Sequence, residues 1–121
     1  MIWNWGKRGL KAPDLAQELE ARVEKVLKTG GWKFAAHPAA MGLHPDFLAS
    51  LDGERMVVVE TWVGTQEERA VAVRRLEHSV KALEAEGGFL VTPQAGKWKW
   101  AGQRVWLVGL EDLQASLQAL R

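Results

Sequence analysis

The sequence predicts an α/β domain in which a mixed central sheet is flanked by helices. Three observations carry that prediction. A symmetric hairpin occupies about residues 46–63, two amphipathic helices with end signals stand on either side of the strands, and another apolar strand follows the second helix. A helix between two strand regions is a crossover connection, and crossovers join parallel neighbours, whereas the hairpin is antiparallel. The sheet is therefore mixed, and the order reads α-β-β-β-α-β-(β)-α, with a strand and a helix added at the C-terminus.

The elements follow in order. Pro13-Asp14 opens a helix running to about Lys28, with Leu15, Leu19, Val23, Val26 and Leu27 on one stripe. Thr29-Gly30-Gly31 ends it, glycine being the usual residue just past a helix C-terminus. Trp32–His37 is a short strand, and a turn at Pro38 leads into a loop. The hairpin turns on Asp52-Gly53-Glu54, with Phe47–Leu51 and Met56–Thr61 as its arms. Thr65 is the N-cap of the second helix, Glu68 completes a capping box, and the helix reaches about Glu86 before the pair Gly87-Gly88. Phe89–Thr92 is a strand stopped by Pro93. Lys97–Trp100 and Arg104–Val108 read as a second hairpin across Ala101-Gly102, with loop as the alternative for the first arm, and Leu110–Leu120 is a last helix.

The chain has 121 residues, 47% hydrophobic and 26% charged, and divides into an N-terminal arm (1–12), a core (13–108) and a C-terminal helix (109–121) of one domain. A core of this size buries roughly two-thirds of the unfolded surface. No apolar run approaches the roughly 20 residues that span a membrane. The N-terminus lacks the continuous apolar segment of a secretory signal, so a cytoplasmic location is expected. There is no cysteine, which excludes disulfides, thiolate metal sites and cysteine nucleophiles. The net charge of +1 is unevenly spread: residues 1–11 carry Lys7, Arg8 and Lys11 with no acid, and residues 89–110 carry Lys97, Lys99 and Arg104 with none. Basic segments beside an acidic body fit either a polyanion partner or ordinary solvated surface.

The hairpin also carries the most chemistry. Asp46 and Glu60 are each seven residues from Gly53, so symmetry places them opposite one another. Directly opposed side chains have Cβ atoms roughly 4.5–5.5 Å apart, and like charges there are destabilising. A divalent cation with oxygen ligands would hold the pair, and so would a neighbouring arginine or helix N-terminus.

The element order and the residues Pro45-Asp46 … Glu60-Thr61-Trp62 resemble the PD-(D/E)XK, or restriction-endonuclease-like, nuclease superfamily over residues of about 13 to 108. The resemblance implies an α-β-β-β-α-β core and a Mg²⁺- or Mn²⁺-dependent site for DNA cleavage, with Asp46 and Glu60 as its metal ligands. It also implies a third acidic residue on the first helix, for which Glu20 is the choice over Glu18. The superfamily lysine stands two residues after the Glu, and here that position is Trp62. Trp62 can stabilise no phosphate charge; it either lies beside the carboxylates or fills the end of the sheet. Arg69, on the apolar stripe of the second helix with Val73, Leu76 and Val80, is the basic residue best placed to stand in. It serves as the catalytic cation or forms an ion pair with Glu60. The implied function is a nuclease-like protein with weak or absent cleavage, and the alternative is a non-catalytic binding or interaction module on the same fold.

Other residues stay open. In Lys97-Trp98-Lys99-Trp100, alternation puts lysines on one face and indoles on the other, which fits either a stacking platform for unpaired bases or indoles buried in a core or dimer contact. Lys7 and Arg8 join that nucleic-acid-binding set, with Trp3 and Trp5 beside them. Seven tryptophans in so small a chain favour a homodimer. His37 and His44 flank the loop into Asp46 and His78 lies on the second helix, but nothing in the sequence sets the spacing that a zinc site of these residues with Asp46 needs.

Overall fold

The computed structural model describes residues 12–119 apart from 40–41, 44, 51, 65, 94–98 and 103, and leaves the side chains of 12–14, 66–67, 99–100 and 102 undescribed. Helix α1 (Ala12–Thr29) precedes strands β1 (Lys33–Ala36), β2 (Phe47–Ser50) and β3 (Met56–Thr61). Helix α2 (Gln66–Ala82) then leads to β4 (Gly87–Thr92), β5 (Lys99–Gly102) and β6 (Val105–Gly109). A 3₁₀ turn at Leu110–Asp112 runs into α3 (Leu113–Gln118), which splits the predicted last helix in two.

The strands form one mixed sheet in the order β1-β2-β3-β4-β6-β5. β3, β4 and β6 are mutually parallel along their contacts, and the remaining neighbours are antiparallel. Alternation along the strands sends two sets of side chains to opposite faces. Phe47, Ala49, Val57, Val59, Phe89 and Val91 pack with Leu19, Val23 and Leu27 of α1 and with Leu113 and Leu117 of α3. Val58 and Leu90 pack with Val73, Leu76 and Val80 of α2. The sheet is thus sandwiched between helices, as the apolar stripes require.

The two long helices end by the same device with different residues. At α1, Gly31 has φ +78, its N–H donates to Lys28 O, and the Trp32 N–H donates to Leu27 O. This is the Schellman pattern, with glycine in the left-handed position. At α2 the left-handed residue is Glu84, with φ +53, while its N–H donates to Lys81 O and the Ala85 N–H to Val80 O. Gly87 and Gly88 therefore do not cap the helix; they begin β4. Packing explains them. A Cβ on Gly88 would lie 2.8 Å from Val80 Cγ2 and 2.9 Å from Leu76 Cδ1, and one on Gly87 would lie 2.5 Å from the Trp106 ring. Glycine lets α2 and the Trp106 indole close on the strand.

The C-terminal hairpin also differs from the expected one. Ala101 and Gly102 belong to β5, and the chain reverses nearer Arg104, which has φ +59. A register shift between Trp100 and Gly102 leaves Ala101 as the extra residue of a bulge inside the strand.

Candidate functional site

The hairpin register is symmetric about Gly53: Phe47 pairs with Val59, Leu48 with Val58 and Ser50 with Met56. The turn is held by its own side chains. Asp52 Oδ1 accepts the backbone N–H of Glu54 and of Arg55, each at 2.9 Å, and Ser50 Oγ accepts the Gly53 N–H at 2.7 Å. The Arg55 and Glu54 N–H groups hold the Asp52 carboxyl down at about 2. Gly53 takes φ +83, which a side chain would strain. Extending the register by one residue sets Asp46 opposite Glu60, as the sequence symmetry predicts.

The next strand extends the same row. β1 pairs with β2 through Ala36 and Phe47, and the following residues, His37 and Asp46, are joined by a 2.8 Å bond from the His37 N–H to the Asp46 carbonyl. His37, Asp46 and Glu60 thus stand side by side across three strands at one end of the sheet. Sequence reading set His37 near Asp46 but could not fix its spacing, because the loop from Pro38 to Pro45 gives no symmetric turn from which to count the register. The β1–β2 pairing supplies the missing spacing.

Asp46 lies just before β2, where the pleat no longer dictates its direction. Its Oδ2 accepts the Thr61 backbone N–H at 2.7 Å and the Thr61 hydroxyl at 3.0 Å, while Oδ1 accepts nothing from the described residues. Glu20 arrives from α1, one position beyond the buried Leu19, and its carboxylate meets His37 Nε2. Its neighbours on the helix turn outward: Glu18 pairs with Arg22 at 3.3 Å and Glu24 with Lys28 at 3.8 Å. Ligand atoms of Glu20, His37 and Asp46 all lie within 4.8 Å of one another. Glu60 stands outside that set and, by strand alternation, on the α2 face with Val58 and Trp62.

The site is electrostatically crowded. Burial raises the Glu60 carboxyl to about 7, the charge of Asp46 adds to the effect, and Arg75 on α2 offsets part of it. Glu20 is also raised, first by burial and then by Asp46, with His37 acting in the opposite sense. Asp46 is the common neighbour of both. Among the described residues the cation that acts on Glu60 is thus Arg75, a residue to which sequence reasoning assigned no role.

Arg69 rests on Trp62 and does not form the expected ion pair with Glu60. Its guanidinium carbon lies 5.7 Å from the centre of the Trp62 ring, within cation–π range. Its Nε is buried without a hydrogen-bond partner. Among the described residues it makes no ion pair with Glu60. Trp62 is half-buried and packs against the α2-side core, its N–H extending the ladder to Val91 O at 2.9 Å.

The remaining candidates lie elsewhere. Lys7, Arg8, Trp3, Trp5, His44, Thr65, Lys97 and Trp98 lie outside the described residues, as do the side chains of Gln66, Lys99 and Trp100. Of the described indoles, Trp32 is buried and Trp62 and Trp106 are half-buried, and Val71 is the exposed large apolar side chain. No described indole therefore supplies the exposed surface on which the homodimer expectation rests. An open groove of about 460 Å³, lined by Glu77, His78, Val80, Lys81 and Arg104, includes none of the clustered carboxylates. No helix among the described residues is long and apolar enough to cross a membrane.

No family model and no curated protein matches the chain. A solved structure does: a chain of the refined half-complex from a tetradecameric assembly of Thermococcus gammatolerans McrB AAA+ hexamers with bound McrC. The likeness has a TM-score of 0.64 at 12% identity and covers 89% of this chain and 34% of that one. This chain therefore spans about a third of its neighbour's length, and what the two share is an α/β fold.

Proposed function

We propose that this is a nuclease-like protein with a PD-(D/E)XK, restriction-endonuclease-like core and a degenerate active site, which acts on or binds DNA with weak or absent cleavage. One observation carries the reading. An aspartate before β2 and a glutamate from α1 meet at one end of the sheet, a glutamate at the end of β3 stands beside them on the α2 face, and the charge of Asp46 acts on both glutamates. Like charges brought together in a partly buried place are unfavourable unless a cation joins them. The Oδ1 of Asp46, which accepts nothing from the described residues, fits a hard divalent ion such as Mg²⁺ with Glu20 and Glu60 to either side. Such an ion lowers the pKa of bound water and polarises a phosphate oxygen.

The chain's own residues have separate tasks in this reading. Thr61 orients Asp46 by two hydrogen bonds, which is the support that a ligating carboxylate needs. Glu20 and Glu60 supply the remaining negative charge. The cationic group is the weak part, because Trp62 occupies the lysine position and Arg69 is held on its ring. Losing one positioned electrostatic donor typically costs about 10²–10³ in rate. This same observation favours the second reading, a non-catalytic module on the nuclease fold that binds DNA or protein.

Incubation with plasmid and with single-stranded DNA, across a titration of Mg²⁺ and Mn²⁺, tests the proposal. Slow metal-dependent cleavage abolished by Asp46→Ala and by Glu60→Ala supports a degenerate nuclease. DNA binding without cleavage supports the module. Robust cleavage that survives both substitutions refutes the site.

A further inference from the structure

We propose that His37 is a nitrogen ligand of this metal site and that the site consequently selects a transition-type divalent cation, such as Mn²⁺, over Mg²⁺. The inference rests on the metal-site reading above and goes beyond it, because His37 belongs to neither the hairpin motif nor the residues that the resemblance implies.

Three features place the imidazole. The β1–β2 register sets His37 directly beside Asp46, and the last ladder bond, His37 N–H to Asp46 O, fixes the two main chains together. The ring leans on Phe47, with centroids 6.4 Å apart, and its Nε2 reaches the Glu20 carboxylate. One ligand atom from each of His37, Glu20 and Asp46 then falls within 4.8 Å of the others. Atoms bound to one ion at about 2.0–2.2 Å are at most about 4.4 Å apart, so small side-chain adjustments close the set on a cation. Binding at Nε2 needs that nitrogen unprotonated, so a hydrogen shared with Glu20 moves to Nδ1 or to solvent. The His37 side chain is 62% exposed, which leaves the ion a path of entry.

The donor set decides the ion. Mg²⁺ is a hard cation that takes oxygen in near-ideal octahedra and holds its waters. Imidazole suits first-row transition ions better than it suits Mg²⁺, and carboxylates also suit Mn²⁺. His37 therefore adds affinity for Mn²⁺ and little for Mg²⁺. Its exposure and its φ of +51 also make it replaceable by glycine without backbone strain.

Calorimetric titration of the intact protein with Mn²⁺ and with Mg²⁺ tests this, together with pulsed electron paramagnetic resonance of the Mn²⁺ form. The wild type is expected to bind Mn²⁺ roughly tenfold or more tightly than Mg²⁺ and to show modulation from a directly bound ¹⁴N nucleus. His37→Gly should lose the ¹⁴N signal and about tenfold in Mn²⁺ affinity, as loss of a ligand-shell group commonly does, and should bind Mg²⁺ within about twofold of wild type. Asp46→Ala should weaken both ions. Mn²⁺ bound without ¹⁴N modulation, or held equally well by His37→Gly, overturns the role of His37 and leaves the carboxylate site standing. A wild-type protein that binds neither ion at millimolar concentration overturns both.

Discussion

Replacing Glu60 by glutamine should stabilise the metal-free protein above neutral pH. Burial is the main cause that raises the Glu60 carboxyl from 4.5 to about 7, Asp46 adds to it, and Arg75 relieves part of it. The folded chain therefore holds a proton there that the unfolded chain releases near 4.5. Between those values the native state binds more protons, so the contribution of Glu60 to stability is full below about 4.5 and is lost as pH rises through about 7. The displacement corresponds to ~3 kcal/mol at most. The strand end is partly open to solvent, and screening there reduces the expected effect to ~1–2 kcal/mol.

Glutamine keeps the shape and has no charge to lose. In EDTA, urea unfolding of Glu60→Gln should match wild type near pH 4.5 and exceed it at pH 8.5, with a midpoint higher by about 0.5–1.5 M for ordinary denaturant slopes. A shallower slope remains in the variant, because Glu20 is raised in the same sense. Adding Mn²⁺ at pH 8.5 should stabilise wild type more than the variant, since the ion binds the ionised carboxylates of the folded state. Parallel pH curves for the two proteins, or a variant less stable at pH 8.5, would refute the electrostatic account.

Three further outcomes follow from the packing and from the proposed site. Gly88→Ala drives a methyl against Leu76 and Val80 and should cost ~1–3 kcal/mol, read as a lower urea midpoint at unchanged slope. Arg69→Met loses a cation–π contact worth ~0.5–2 kcal/mol but also removes a buried N–H that lacks a partner, so its stability should stay within ~1 kcal/mol of wild type. A loss above ~2 kcal/mol would show that the guanidinium has a strong partner. Trp62→Lys puts an ammonium beside Glu60 and should create or raise Mg²⁺- or Mn²⁺-dependent cleavage, by up to about 10²–10³. No gain in a variant that still folds and binds the ion would count against the nuclease geometry.

The parts of the fold that were legible in the sequence are those set by local chemistry. Asp52, Gly53 and Ser50 make a self-contained turn, so the register of the hairpin, and with it the Asp46–Glu60 row, can be counted from the residues alone. The Leu19–Val23–Leu27 stripe announces α1 for the same reason. What escaped depends on contacts distant in sequence. Gly87 and Gly88 look like a helix stop, yet their role is to admit Trp106, Leu76 and Val80. His37 looks like a loop histidine until strand pairing sets it beside Asp46. The influence of Arg75 on Glu60 requires knowing how α2 lies across β3.

Trp62 and Arg69 decide what the site can do on the reading proposed above. An indole at the lysine position removes one cation, but it also gives the neighbouring guanidinium a surface on which to rest. That resting state is not fully satisfied, because the buried Nε has no partner among the described residues. Leaving the ring costs ~0.5–2 kcal/mol, and a hydrogen bond from a charged group such as Arg69 to a phosphate is worth ~1.5–3 kcal/mol. The two terms nearly balance, with a margin towards the phosphate when one is bound. Arg69 is thus better placed to respond to a polyanion than to neutralise Glu60 in its absence. On that reading Arg75 offsets part of the charge at Glu60 in the resting protein, and Arg69 completes the cationic half of the site when a phosphate is bound.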